Sequence, residues 1–377
     1  MARVLVVNAG SSSLKLSLLS ERDQVLAERE LDAPGDASGT DADRGGYADA
    51  LHAALADGLG DADAVAHRIV HGGERFHAAV LLDASVEAGL RELTELAPLH
   101  QPRSLAALDA VSAALPDVPA VACFDTAFHA TLPAAASTYA LPSAWRGRWR
   151  IRRYGFHGLS HAWIARRVPS LVGRDAAGLR IVSCHLGAGA SLCAISGGRS
   201  VDTTMGFTPL EGLVMATRSG SVDPGLVLWL LEGNRVSSTR ELGEGLERES
   251  GLLGLAGSSD MRTVLARCSG GDESARVALD VYLHSLRAHI GAMAASLGGV
   301  DVVAFTGGVG ERSPEIRARA VAGLAFLGLA VDHARNAAPE LDADISAHGS
   351  AARVVVVRAR EDLEMARQTR ELMAESV

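Results

Sequence analysis

Lys15 is the only lysine in the chain; the other 35 of its 36 basic residues are arginine. A sequence that uses arginine wherever a generic cation will do keeps a lysine for a reason. A compact ammonium approaches phosphate oxygens as a point charge, which a broad guanidinium does not do equally well. Lys15 closely follows the small-residue cluster Asn8-Ala9-Gly10-Ser11-Ser12-Ser13. Two further glycine-rich segments, His185 to Ser191 and Thr306 to Glu311, also follow apolar runs. Small residues let backbone N–H groups come close to an anion. None of the three matches G-x-x-x-x-G-K-[ST] or G-x-G-x-x-G. One such segment alone is more often a mere tight turn; three, one of them beside the sole lysine, point to phosphate.

Arg68, between His67 and Ile69-Val70-His71-Gly72-Gly73, and Arg218, before Ser219-Gly220, suit bidentate binding of a carboxylate or phosphate. Either one alone is no more than one arginine among 35. His157 lies in Arg153-Tyr154-Gly155-Phe156-His157-Gly158, where a structural histidine is the competing explanation. Asp125 follows the apolar run Val118 to Cys123. It could serve in the shell of a magnesium ion or equally cap a helix.

These residues need a frame, and 377 residues with 48% hydrophobic content suffice for two cores of ordinary size. The formal net charge of -9 and the lack of a basic stripe argue against nucleic acid as a partner. Cys123, Cys184, Cys193 and Cys268 form no C-x-x-C pair and read as buried small side chains in a reducing compartment. No apolar stretch is long enough for a membrane span, and the N-terminal run is too short for a signal peptide, so a cytoplasmic protein with no membrane partner is expected.

Arg3 to Val7 and Leu14 to Leu19 read as a strand hairpin, with Leu14, Leu16 and Leu18 on one face. Ala33 to Gly46 reads as a solvated loop, Tyr47 to Leu59 as a helix and Ala64 to Val70 as a strand. The hairpin recurs at Arg180 to Cys184 and Leu192 to Ser196, around His185-Leu186-Gly187-Ala188-Gly189-Ala190-Ser191. Two strand, glycine turn, strand units suggest a duplicated domain. Helices are expected over Pro224 to Leu231, Arg276 to Leu297 and Glu361 to Glu375, and strands over Asp301 to Phe305 and Arg353 to Val357. Ser313 and Pro314 read as N-cap and first helical residue. Strands alternating with helices mean α/β layers.

Asn8 to Lys15, His67 to Glu74, Ala97-Pro98-Leu99-His100, Phe124 to His129, Tyr154 to His161, Met205 to Pro209, Thr217 to Asp223, Ser258 to Arg262 and Thr306 to Glu311 resemble the signatures of the acetate/propionate kinase family. The matches run in order along nearly the whole chain. The resemblance implies duplicated ribonuclease-H-like domains, as in actin, Hsp70 and sugar kinases, with the active site in the cleft between them. The first domain would be residues 1–127 plus 363–377, and the second, for the nucleotide and dimerisation, 128–362. It implies Mg²⁺ or Mn²⁺ at Asn8 and Glu361. ATP or ADP would be bordered by Ser13, Lys15, His185, Leu186, Gly187, Ala188, Gly189, Asp260, Met261, Arg262, Gly308, Val309, Gly310, Glu311 and Arg312. Arg68 would bind the carboxylate and Val70, Leu99, Phe156 and Pro209 its apolar end. His157 and Arg218 would stabilise the transferring phosphoryl group, with Asp125 as the active-site acid. The implied partners are acetate and acetyl phosphate, and a second copy of the chain in a homodimer.

The chain departs from the family pattern at Ala188 and Arg312, where asparagine is usual, and at Ser221, where aspartate is common. Its segment between Lys15 and Arg68 is also shorter. The expected reaction is Mg-dependent, reversible, in-line transfer from ATP to acetate. The alternatives are a propionate or butyrate kinase, and a catalytically impaired nucleotide-binding relative, for which Ala188 is the one support.

Overall fold

The structure is a computed structural model that describes residues 2–10, 13–32, 49–97, 101–233 and 235–375. It divides into two compact units. The first comprises Met1–Ala130, Gly158–Trp163 and Arg360–Val377; the second comprises Thr131–His157 and Ile164–Ala359.

In the first unit, β1 (Val4–Ala9), β2 (Ser13–Leu19) and β3 (Val25–Asp32) form an antiparallel meander, and β4 (Ala64–Ile69) and β6 (Ala120–Phe124) continue it in parallel. With the short β5 (Val80–Leu81) the sheet order is β3-β2-β1-β4-β6-β5. Along β1 the side chains alternate between faces, as the two-residue strand period requires. Leu5 and Val7 join Leu14, Leu16, Leu18 and Val65 against the helix Gln101–Ala114. Val4 and Val6 join Ala66, Val121, Met365 and Ala366, the last two from the helix Glu361–Glu375. Both faces are covered, which is why β1 and β4 read as nearly continuous apolar runs.

The second unit repeats this plan. Its strands β7 (Arg180–Leu186), β8 (Ala190–Ser196) and β9 (Arg199–Thr203) form the meander, and β10 (Val302–Thr306) and β12 (Arg353–Val356) run parallel to β7. With β11 (Ala343–Asp344) the order is β11-β12-β10-β7-β8-β9. Read from the meander end, the two sheets have the same order and the same strand directions. The repeated hairpin is therefore one part of a repeated six-strand unit.

Several local expectations change. Thr306 to Glu311 is not a turn: β10 leads directly into the helix Gly307–Arg312. Gly307 makes the junction at φ 78°, and a Cβ there would lie 2.9 Å from the Leu186 carbonyl oxygen. The glycine turn in β7–β8 shrinks to Gly187-Ala188-Gly189, because both strands extend further inward than expected. The Asp125 carboxylate is held by Arg68. The expected helix from Tyr47 loses helical geometry at Asp57 and Gly58 before it reaches Leu59. The third strand of each meander, β3 and β9, was not anticipated. Ala33 to Gly46, Ser11, Ser12, Leu99 and the rest of Pro98 to His100 lie outside the described residues. Cys123, Cys184 and Cys193 are buried, Cys268 is half-buried, and none of the four is in a disulfide. Among the described residues no helix is long and apolar enough to cross a membrane.

His67 on β4 is fully buried, and neither ring nitrogen has a hydrogen-bond partner. Burial pushes its pKa from 6.5 down to about 3. The unfolded chain thus binds a proton near pH 6.5 that the folded chain refuses until far lower pH. Stability is full above pH 6.5 and falls as the pH drops toward 3, by up to about 1.4 kcal/mol per pH unit. Between pH 7 and pH 5, His67→Leu should lose about 2 kcal/mol less unfolding free energy than the wild type, measured by urea titration. An equal pH dependence in both proteins would mean that the imidazole ionises without cost.

Candidate active site

The first unit gathers its charged groups at the carboxyl ends of parallel strands, where open α/β sheets place their ligands. Arg68, near the end of β4, donates from Nε to both oxygens of Asp125 at 3.2 and 3.1 Å, and from Nη2 to Oδ2 at 2.6 Å. Its Nη1 donates to Asn8 Oδ1 at 3.1 Å, and Asn8 Nδ2 donates to Glu361 Oε2 at 3.4 Å. The four residues come from β1, β4, the residue after β6 and the first turn of the helix Glu361–Glu375. Burial works against the Arg68 charge, but the carboxylates of Asp125 and Glu361 outweigh it and hold its pKa above the usual value. Asp125 is 2% exposed. Val70, two residues beyond Arg68, is buried as well.

Glu361 offers carboxylate oxygens and Asn8 an amide oxygen that accepts from Arg68 in this arrangement, with Asn8 Nδ2 turned to Glu361; the described residues hold no cluster of three His, Cys, Asp or Glu that could bind a metal. This set fits Mg²⁺, which keeps several waters and relies on one or two carboxylates together with substrate phosphates. Lys15, on β2, points its ammonium to within 3.9 Å of Glu30 and is half-exposed; the Ser13 hydroxyl donates to Glu30 at 2.6 Å.

In the second unit, the β7–β8 turn brings Gly189 against two side chains. A Cβ at Gly189 would lie 3.3 Å from His157 Nε2 and 3.4 Å from Arg218 Nη1. His157 shares a hydrogen bond between Nδ1 and the Ser191 hydroxyl at 2.9 Å, and its ring stacks on His185 with centroids 4.4 Å apart. The His157 backbone is left-handed, with φ 56°, immediately before the helix Gly158–Val172. Non-glycine residues in that region carry strain and concentrate at functional sites. Arg218 Nε pairs with Glu247 at 3.2 Å, and its Nη1 donates to the Pro209 carbonyl at 3.3 Å. Burial lowers the pKa of Arg218 and raises that of Glu247, against the pull each exerts on the other. Phe156 and Pro209 are buried in this unit.

A cavity of about 610 Å³ opens beside the same turn. It is lined by Gly187, Ala188, Asp260, Met261, Arg262, Gly308, Val309 and Arg312, all expected at the nucleotide, and also by Leu252, Leu265 and Tyr282. Its size suits a ligand of nucleotide dimensions. Glu311 turns elsewhere: its Oε1 accepts from the Gly307 and Ala359 N–H groups at 3.1 and 2.9 Å. Ser191 and Glu247 are additions to the expected set. Ser191 ends a segment already singled out. Glu247 lies in the acidic helix Thr239–Arg248, and nothing in its sequence surroundings marks it.

Two ribonuclease-H-like units of one topology, with a glycine turn facing an imidazole, a guanidinium and a ligand-sized cavity, define a phosphotransferase of the duplicated α/β class. The family model described as "Acetokinase family" matches residues 46–367. An acetate kinase of Leifsonia xyli is 47% identical, over 99% of this chain and 100% of its own length. The crystal structure of Porphyromonas gingivalis acetate kinase aligns with a TM-score of 0.89 at 34% identity, covering 99% of this chain and 100% of that one. A propionate kinase from Francisella tularensis aligns with a TM-score of 0.88 at 31% identity, over 99% and 100% of the two chains. The chain belongs to the acetokinase family.

Asp125→Ala leaves the mostly buried Arg68 without its chelating partner, a loss of about 3–5 kcal/mol in stability. Asp125→Asn keeps one acceptor and should cost less. Urea unfolding would check both, and a loss under about 1 kcal/mol for Asp125→Ala would mean that water solvates the guanidinium.

Proposed function

We propose that this protein transfers the terminal phosphoryl group of ATP to acetate, reversibly and with Mg²⁺, giving acetyl phosphate and ADP. The observation that carries the proposal is the convergence of His157, Arg218 and the Gly187–Gly189 turn beside a nucleotide-sized cavity, in a chain of this family. Acetate is ionised at pH 7, since carboxyl groups titrate near about 4–5. No general base is needed. One carboxylate oxygen attacks the terminal phosphorus in line, the bond from that phosphorus to the bridging oxygen breaks, and ADP leaves with the electron pair. The obstacle is the approach of an anion to an anion. The protein's answer is preorganised charge.

In this assignment Arg68 binds the carboxylate, and Asp125 holds Arg68 in place rather than taking a proton. Arg218 and the His157 ring stabilise charge on the transferring group, with Ser191 orienting the imidazole through Nδ1. Lys15 neutralises phosphate oxygens. Magnesium held by Asn8 and Glu361 would supply a further positive charge on the phosphates. The first unit thus handles the carboxylate and the second the nucleotide. The neutral Ala188, exposed at the cavity wall, is compatible with nucleotide binding through backbone N–H groups.

The test is trapping of acyl phosphate as hydroxamate from ATP and acetate. Arg218→Ala should lower kcat at least about 100-fold with little change in the KM for ATP, because its charge matters most in the transition state. Arg68→Ala should mainly raise the KM for acetate. Absence of hydroxamate in the wild type refutes the reaction, and exchanged phenotypes refute the roles.

We also assign the protein to the cytoplasm as a homodimer built on the second unit. The helix Pro224–Glu232 buries none of its residues, and Leu226, Leu228 and Trp229 are about half exposed. The Arg235 guanidinium lies 3.6 Å from the Trp229 ring centroid. Light scattering should give a dimer for the wild type and a monomer for Leu228→Asp. A monomeric wild type at micromolar concentration would sink this assignment.

A further inference from the structure

Arg317, on the helix Pro314–Ala322, is fully buried, and among the described residues it pairs with no carboxylate. Its guanidinium donates to neutral acceptors instead. Nη1 reaches the Gly310 and Glu311 carbonyls at 2.7 and 2.8 Å. Nε reaches Asn336 Oδ1 at 2.8 Å, and Nη2 reaches the Asn336 carbonyl at 2.7 Å. Asn336, itself 3% exposed, donates from Nδ2 to the Pro314 carbonyl at 2.8 Å. Two buried side chains therefore tie down the carbonyls of residues 310, 311 and 314. Between them lie Arg312 and Ser313, which with Gly308, Val309 and Pro314 form one wall of the 610 Å³ cavity.

Burying an unpaired cation is costly. Burial pushes the Arg317 pKa down to about 10, which leaves the group protonated at neutral pH. An aspartate at position 336 could accept from Nε as the asparagine does and would cancel the charge. The amide satisfies the same hydrogen bond without cancelling it. An aspartate would gain the ion pair but lose the donation to the Pro314 carbonyl; the asparagine keeps both contacts and leaves the positive charge uncancelled behind the cavity wall.

We propose that Arg317 is a positioning residue for the phosphoryl donor: with Asn336 it fixes the Gly307–Arg312 wall of the cavity and keeps an uncancelled positive charge behind it that favours a nucleoside di- or triphosphate. The proposal rests on the assignment of that cavity to the nucleotide. Polyanionic ligands feel a buried charge more strongly than a surface one, because water and salt screen it less.

Replacing Arg317 outright risks the fold, so the decisive comparison is between Asn336→Ala and Asn336→Asp. Both remove the donation to Pro314; only the second adds a negative charge. Calorimetric titration of the full-length protein with ADP should show weaker binding to Asn336→Asp than to Asn336→Ala, on the order of tenfold. Asn336→Asp should melt at the same temperature as Asn336→Ala or higher, and its KM for acetate should change less than about twofold. Equal ADP affinity in the two variants would overturn the proposal. So would a loss of affinity that merely follows a drop in melting temperature, or failure of Asn336→Asp to fold, since each would leave the pair a purely structural role. A wild type that binds ADP but forms no hydroxamate would refute the reaction and leave the calorimetric readout intact. A wild type that binds no ADP would refute both.

Discussion

An imidazole and a guanidinium crowd the peptide of Gly189 so closely that a side chain there would begin 3.3 Å from one and 3.4 Å from the other. Much of the second unit serves this approach. The β7–β8 hairpin carries the turn, the register that sets His185 opposite Ser191 places both beside His157, and the left-handed His157 backbone turns the imidazole inward. Arg218 is pinned at Nε by Glu247, and Nη1, the atom nearest Gly189, donates to the Pro209 carbonyl. Donors fixed in place by the fold need no reorganisation when charge develops beside them.

The first unit solves a different problem. Its buried cation, Arg68, stays charged while mostly removed from water. Asp125 chelates it, and Asn8 and Glu361 extend the chain of contacts toward the start of the last helix. Such a pair adds little net stability, because desolvation of both groups offsets their attraction. What it secures is orientation: a guanidinium fixed at Nε and Nη2 can rotate neither out of the strand end nor toward solvent.

Arginine is used in three distinct ways in this chain. Arg68 is chelated by a carboxylate, Arg218 is paired on one edge and left near the glycine turn on the other, and Arg317 is satisfied only by carbonyl and amide oxygens. The planar fork with five donors permits all three, whereas an ammonium could not span the four acceptors around Arg317.

The α/β class, the repeated hairpin, the helix Glu361–Glu375 and the importance of Gly187 to Gly189 were legible in the sequence, because two-residue apolar periodicity and small-residue turns are local properties. The family signatures likewise singled out Arg68, Asp125, His157 and Arg218, although not their partners. Glu247 and Asn336 make their contacts with side chains distant in the sequence, and no local pattern distinguishes them from surface polar residues; Ser191 ends a segment that stands out, but its bond to His157 does not show there. The helix at Gly307 was hidden for a related reason: glycines predict a turn, and only the close passage of Leu186 explains why glycine starts a helix there. Residue types and their spacing determined what chemistry this protein could hold. Only tertiary structure decided which charges are cancelled and which are left exposed to a ligand, because cancellation depends on distance and burial, and neither is written in the order of residues along a chain.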